Sequence, residues 1–230
     1  MAAVALIAAR GGSRGIPRKN LVDFCGQPLL AWSVEQAVHA DGIDAVWVTS
    51  DSDEILACAT DHGARAIVRP PELSTDTATS EAAWSHALDE IESAAGPVDI
   101  VVALQATSPL REPSDIERAL ADFEEKGCDS LFSGSLIGDF FIWARRDGLL
   151  DSLNYEWRRR TRRQEFDEQY VENGSIYVFA PRLLRETGNR LGGTIGVTLM
   201  EFWKSFEIDS QQGLELCEAL MQRFLLRTHA

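Results

Sequence analysis

The chain has 230 residues, of which 45% are hydrophobic and 25% charged, enough to bury the core of one globular domain. Lys+Arg 22 against Asp+Glu 36 gives a net charge of −14, so the average surface repels nucleic acid and anionic membranes, and an anionic ligand needs a local basic site. Cys25, Cys58, Cys128 and Cys217 follow no metal-ligand or disulfide spacing, which points to a reducing cytoplasm. The apolar run from Met1 to Ala9 lacks a basic flank and a cleavage signal, and no stretch reaches membrane-spanning length, so a soluble, unprocessed chain is expected.

In chain order, β-branched runs alternate with helical patterns, the signature of βαβ units on a parallel sheet. Val4 to Ala8 reads as a strand, Pro28 to Ala40 as a helix, Asp44 to Ser50 as a buried strand, and Asp53 to His62 as a helix closed by Gly63. A short strand, Ala66 to Val68, ends at Arg69-Pro70. Ser80 to Ala94 is expected as a helix and Asp99 to Leu104 as the next strand. Ser114 and Glu117 have capping-box spacing for a helix that stops at Gly127. Shorter strands follow at Ser130 to Phe132, Phe140 to Arg145 and Ser175 to Phe179, and a last helix runs from the Ser210 cap to about Leu226. The segment of about 135–172 breaks the βαβ rhythm with clustered aromatics and arginines. It is expected as a β-rich arm inserted into a single domain spanning 1–230, packed on the domain or on a partner chain.

The loop from Arg10 to Asn20 leaves the first strand at its carboxyl end, where ligands bind in open α/β sheets. It carries Arg10, Arg14, Arg18 and Lys19 and no acid, with glycines that let backbone N–H groups approach phosphate oxygens. The P-loop and dinucleotide glycine spacings are both absent. The same composition also describes a solvated loop. Glu207-Ile208-Asp209 puts two carboxylates on one side of a strand end with Ile208 turned inward, hard oxygen ligands suited to Mg²⁺ beside phosphates. Asp209 next to the Ser210 cap equally suits a helix N-terminus. The basic run Arg158 to Arg160 with Arg162 and Arg163 would suggest a nucleic-acid patch, which the net charge opposes.

The run ARGGSRGIPRKNL resembles the signature of the CMP-sialic acid synthetases (acylneuraminate cytidylyltransferases), and RPPELSTDTATS, LQATSPLR, RRQEFDEQYVENGSIYVF and FEIDSQQGLEL resemble further segments of that family in the same order. The resemblance implies an α/β fold, a Rossmann-like nucleotide-diphospho-sugar transferase sheet with an inserted β-rich dimerisation arm, working as a homodimer. It implies transfer of CMP from CTP to the anomeric 2-hydroxyl of a nonulosonic (sialic-acid-like) acid with Mg²⁺. Arg10, Arg14 and Lys19 would hold the triphosphate with Gly11, Gly12 and Ser13, and Asn20, Arg69 and Ser80 the cytidine part. Gln105 corresponds to the sugar-binding glutamine, Arg163 to the carboxylate-recognising arginine, and Asn173 to a further substrate contact. Arg10, Lys19 and Asp209 carry the catalytic roles, and Asp209 and Glu207 the metal. The family usually has Asp at both metal positions, so Glu207 departs from it. For Arg69, Ser80 and Gln105 the residues alone also allow a solvated strand end, a helix cap and a satisfied core amide. Rival readings are a CMP-Kdo synthetase, whose loop differs from GGSRGIPRKN, and a non-catalytic nucleotide-binding protein of the same fold.

Overall fold

Runs of small and β-branched residues in the N-terminal half become parallel strands because both of their faces are covered by helices. The structure, a computed structural model, describes residues 2–13, 15–138, 140–159 and 167–226. Its elements run β1 (Ala3–Ala8), the two-residue strands β2 (Asp23–Phe24) and β3 (Gln27–Pro28), α1 (Leu29–Val38), β4 (Ala45–Ser50), α2 (Asp53–Asp61), β5 (Arg65–Val68), α3 (Ser80–Ala95), β6 (Ile100–Leu104), α4 (Pro113–Lys126), β7 (Ser130–Leu136), β8 (Trp143–Arg146), β9 (Leu149–Ser152), β10 (Tyr170–Phe179), α5 (Pro181–Thr187), β11 (Ile195–Leu199) and α6 (Gln211–Phe224).

Seven strands form one sheet in the order β11-β7-β10-β6-β1-β4-β5. β1 pairs in parallel with β4 and β6, whereas β10 runs antiparallel to both β6 and β7. Side-chain alternation along β1 divides the core: Ala5 and Ile7 face α1, α2 and α4, while Val4 and Leu6 face α3 and α5. A third cluster, built on Phe24, Leu29, Ile208, Leu214 and Met221, seats α6 below the loops that follow β1 and β6. The order reverses direction at β1, so the crevice outside the carboxyl ends of β1 and β6 is the topological switch point where α/β sheets hold ligands. Among the described residues, no helix is long and apolar enough to cross a membrane.

Several expectations about the elements need correcting, among them the strand end at Glu207-Ile208-Asp209, which is an irregular connection between a 3₁₀ turn (Phe202–Ser205) and α6. The capping box of α4 is made by Glu112 and Asp115, not by Ser114 and Glu117. Pro113 takes the first helical position, where its missing N–H costs nothing, and this moves the cap back to Glu112. Glu117 instead accepts a hydrogen bond from the Asp41 amide at 3.0 Å. The strands flanking the inserted segment are also longer than their apolar runs, reaching Leu136 and beginning at Tyr170. Between them β8 and β9 pair as a separate ribbon, with Trp143 packed on Tyr155 and Trp157 at centroid distances of 5.8 and 6.0 Å. Phe140 stacks on Phe202 of the body at 5.1 Å.

Lys204 is 2% exposed and lies 2.8 Å from Asp115, 2.9 Å from Glu112 and 3.1 Å from Glu201. It fastens the segment before the 207–209 carboxylates to the start of α4. Removing one partner of a buried ion pair strands the other charge. We expect Lys204→Met to lower the unfolding free energy by about 3 kcal/mol in urea titrations; a change within error would mean that Arg118 alone compensates Asp115.

Candidate active site

The loop after β1 is held from three sides. The Gly11 amide donates to Asp51 at 2.9 Å, the Asn20 side chain donates to the Arg10 carbonyl at 2.9 Å, and the Arg69 guanidinium donates to the Ala9 carbonyl at 2.9 Å. Arg69 is 6% exposed, so it is no solvated strand end. Burial pulls its pKa down, Asp51 at 3.8 Å opposes that pull, and Arg10 adds to it. Arg10 reaches across the cavity mouth to Asp76 at 2.9 Å and to the Thr75 carbonyl at 3.3 Å. Lys19, on a single 3₁₀ turn entered through Arg18 at φ 53°, places its ammonium 2.7 Å from Asp209.

Gly15 explains how the loop comes so close to the 207–209 segment: a Cβ there would lie 2.2 Å from the Asp209 carbonyl oxygen. On the opposite wall, Ile208 is buried in the third core cluster and its amide donates to the Thr107 carbonyl at 2.8 Å. Glu207 and Asp209 are thereby turned to the cavity. Glu207 is half-buried; burial pushes its pKa up, Asp209 and Glu172 add to the rise, and Lys19 opposes it. Among the described residues, no three acids, histidines or cysteines cluster closely enough to hold a metal unaided. The Glu207/Asp209 pair therefore fits a hard cation only if the other ligands are phosphate oxygens and water.

These walls enclose about 510 Å³. The expected residues Arg10, Gly12, Ser13, Lys19, Asn20 and Arg69 line it, as do Ser80, Gln105, Glu207 and Asp209. Thr79, not Ser80, caps α3, accepting from the Ala82 amide at 3.2 Å, which leaves the Ser80 hydroxyl to the cavity. Gln105 is half-buried at the cavity floor and is no core amide. Gly11 sits just behind the lining against Asp51. Asn173 is not brought to the cavity: it is 2% exposed, its oxygen accepts from the Ser133 hydroxyl at 2.5 Å and the Ser175 amide at 3.1 Å, and its nitrogen faces the Met200 sulfur. It braces the irregularity in β10 where pairing with β7 shifts between Glu172 and Tyr177. The expected ligands Arg14 and Arg163 lie outside the described residues, as do Arg160 and Arg162.

Lining residues that the sequence reading missed are Trp84, Thr75, Asp76 and Thr107. Trp84 stands one helical turn after Ser80 on the same face of α3, a spacing visible in the sequence. Behind it the Arg190 guanidinium sits 4.7 Å from the Trp84 ring and 4.6 Å from that of Tyr177, and pairs with Glu81 at 2.7 Å. Tyr177 donates its hydroxyl to Glu172, and burial keeps that phenol protonated. The arrangement is a cleft in which Arg10 and Lys19 stand paired with the carboxylates of Asp76 and Asp209.

A family model of cytidylyltransferases matches residues 4–229. The chain is 34% identical over 224 residues to N-acylneuraminate cytidylyltransferase A of Danio rerio, covering 96% of this chain and 51% of that protein. It is 37% identical over 182 residues to N-acylneuraminate cytidylyltransferase of Oncorhynchus mykiss, covering 76% of this chain and 40% of the relative. It therefore spans about half the length of these curated relatives or less. Against pseudaminic acid cytidylyltransferase of Campylobacter jejuni subsp. jejuni serotype O:23/36 (strain 81-176), identity is 31% over 221 residues, 94% of each chain. Among solved structures, CMP:2-keto-3-deoxy-manno-octonic acid synthetase complexed with CTP superposes with a TM-score of 0.72 at 20% identity over 97% of this chain and 99% of that one, a likeness of fold.

The raised pKa of Glu207 makes a prediction about stability without metal. Its ionised form is disfavoured in the folded chain, so wild-type stability falls as pH rises from the ordinary carboxylate range through the raised folded value. Glutamine has no charge to bury. In metal-free buffer Glu207→Gln should melt higher than wild type at pH 7, with the gap closing below the ordinary carboxylate range; a lower melting temperature at pH 7 would contradict the burial argument.

Proposed function

The chain belongs to the cytidylyltransferase family, and we propose that it transfers CMP from CTP to the anomeric 2-hydroxyl of a nonulosonic, sialic-acid-like acid, releasing pyrophosphate. The observation that carries this is the meeting of Arg10, Lys19, Gln105, Glu207 and Asp209 in one cavity at the switch point of the sheet. In this reading Arg10 and Lys19 turn from Asp76 and Asp209 to the triphosphate and neutralise charge on the leaving pyrophosphate. The amides of Gly12 and Ser13 approach the phosphates, Arg69 and Asn20 fix the loop that forms the cytidine side, and Ser80 offers it a hydroxyl. Gln105 orients the acid so that its 2-hydroxyl oxygen bonds to the α-phosphorus as the bond to pyrophosphate breaks in line and the hydroxyl proton leaves to a carboxylate or to water. Catalysis of this type rests on positioning and charge neutralisation.

Glu207 and Asp209 would hold Mg²⁺, with Glu207 reaching it through one more methylene than an aspartate. A bound Mg²⁺ would supply Lewis-acid neutralisation of the phosphate oxygens. The relatives are named for two different acids, N-acylneuraminate and pseudaminic acid. Four unpaired cysteines suit a reducing, cytoplasmic setting.

The reading extends to a homodimer built through the arm. Trp143 and Trp157 are 42% and 41% exposed on a ribbon too thin to bury them, and aromatics beside arginines anchor interfaces. The arm would complete the neighbour's site, with Arg163 recognising the acid's carboxylate.

Two sets of outcomes test the reading. Pyrophosphate release should require CTP, Mg²⁺ and one acid from a panel of N-acetylneuraminate, Kdn, legionaminate, pseudaminate and Kdo; Lys19→Ala and Asp209→Asn should each reduce kcat/KM by about 10²-fold or more. Normal turnover in EDTA, or Kdo as the preferred acid, would overturn the respective parts. For the arm, joint replacement of Trp143 and Trp157 by Ser should yield monomers by light scattering, with KM for the acid raised before KM for CTP. A wild-type chain fully active as a monomer at nanomolar concentration removes the dimer.

A further inference from the structure

Beneath the cavity lies a charged side chain that the proposed reaction never touches. Arg111 is 1% exposed and its partners are all neutral oxygens. One terminal nitrogen donates to the Ser175 carbonyl at 3.0 Å and the Ser175 hydroxyl at 2.9 Å. The other donates to the Gln105 carbonyl at 3.1 Å and to the Ser33 hydroxyl. Burying a guanidinium without a carboxylate against it is costly, and an apolar side chain would fill the same space more cheaply. Burial pulls its pKa down to about 9, against the field of Asp115. The four bonds must therefore serve something other than filling the core.

Their place in the fold says what. The β6–β10 ladder ends at Leu104 and Ile176, and beyond that pair β10 departs from regular register. From there on, the two strands are joined by the Gln105 amide, donating to the Ser175 carbonyl at 3.4 Å, and by the fork of Arg111. Two functional groups hang from this junction. Gly174, at φ +69°, packs so closely that a Cβ would lie 2.2 Å from the Glu207 carboxylate and 3.1 Å from the Gln105 amide nitrogen. The same loop then gives the Thr107 carbonyl to the Ile208 amide. Gln36 closes the loop from below, donating to the Pro109 and Arg111 carbonyls at 2.9 and 2.7 Å.

We propose that Arg111 is a positioning residue: its fork replaces the missing rungs between β6 and β10 and so sets the distance between Gln105 and the Glu207 carboxylate. This deepens, and rests on, the reading of Gln105 as the group that orients the acid. Lysine keeps the charge but offers a compact ammonium in place of a planar fork, so it cannot span Gln105, Ser175 and Ser33 together.

The test compares wild type, Arg111→Lys and the milder Ser175→Ala, which removes one acceptor and preserves the core. Arg111→Lys should raise KM for the acid by about tenfold or more while KM for CTP stays within about threefold. Ser175→Ala should shift the same ratio by less, and it carries the test if Arg111→Lys does not fold. Hydrogen exchange at the Ile208 amide should quicken in both variants. Unchanged KM for the acid in folded variants, or equal rises for both substrates, overturns the proposal. If wild type transfers CMP to no acid, the reading of the site fails on its own; Ile208 exchange then decides about Arg111, faster exchange supporting the positioning role and unchanged exchange ending it.

Discussion

A chain of net charge −14 that is to hold a polyanion must gather its few cations at one place and keep them usable. This constraint organises the cavity. Lys19, Arg10 and Arg69 each lie close to a carboxylate, at 2.7 Å from Asp209, 2.9 Å from Asp76 and 3.8 Å from Asp51. Those partners come from segments far apart in sequence, so the cations can converge only once the sheet and the third core cluster have formed. The pairs at Arg10 and Lys19 are partly exposed and worth little individually, so an incoming phosphate can exchange with the carboxylate at small cost. Arg69 differs, because it is buried and bound to the backbone of the loop; its work is to shape the cradle.

Close approach is the second requirement, met by absent side chains. Gly15 brings the basic loop against the backbone of Asp209, and Gly174 brings β10 against Glu207. At Gly174 the positive φ adds a backbone reason to the steric one. The two glycines draw three loops together at the carboxyl end of the sheet, a steric role separate from the usual reason for reading glycines in such a loop as functional.

What could be read beforehand follows from how local the physics is. Parallel strands and their helices were legible because burial on both faces leaves long apolar runs, as in IVVAL and AVWVTS. The basic loop was legible because its charge contrasts with the rest of the chain. Asn173, given as a substrate contact by resemblance alone, has its side chain turned into the seam of β7 and β10 where the register shifts, a placement that alternation along a strand does not reveal. The α4 cap was misplaced because the sequence offers two boxes offset along the chain, at Glu112/Asp115 and at Ser114/Glu117, and Pro113 decides between them. β11 was missed because it is a short edge strand carrying Gly196 and Thr198, a pattern shared with loops. Arg111 looked like the end of a motif, since nothing local marks an arginine as buried.

The segment from Met200 to Asp209 links the inserted arm to the cavity. Phe202 stacks on Phe140 at the base of the arm and lies edge-on to Phe206 at 6.0 Å. Lys204 locks the same segment to α4, and the Ser135 hydroxyl donates to the Met200 carbonyl at 2.9 Å. A few residues on, Ile208 is pinned by Thr107, and Glu207 and Asp209 emerge into the cavity. One short stretch therefore touches the arm on one side and supplies the carboxylates on the other. The seat of the arm and the carboxylates thus share one short backbone support. The buried Lys204 cluster fixes that support to the start of α4 with directional ion pairs, which an apolar side chain packed in the same place could not do.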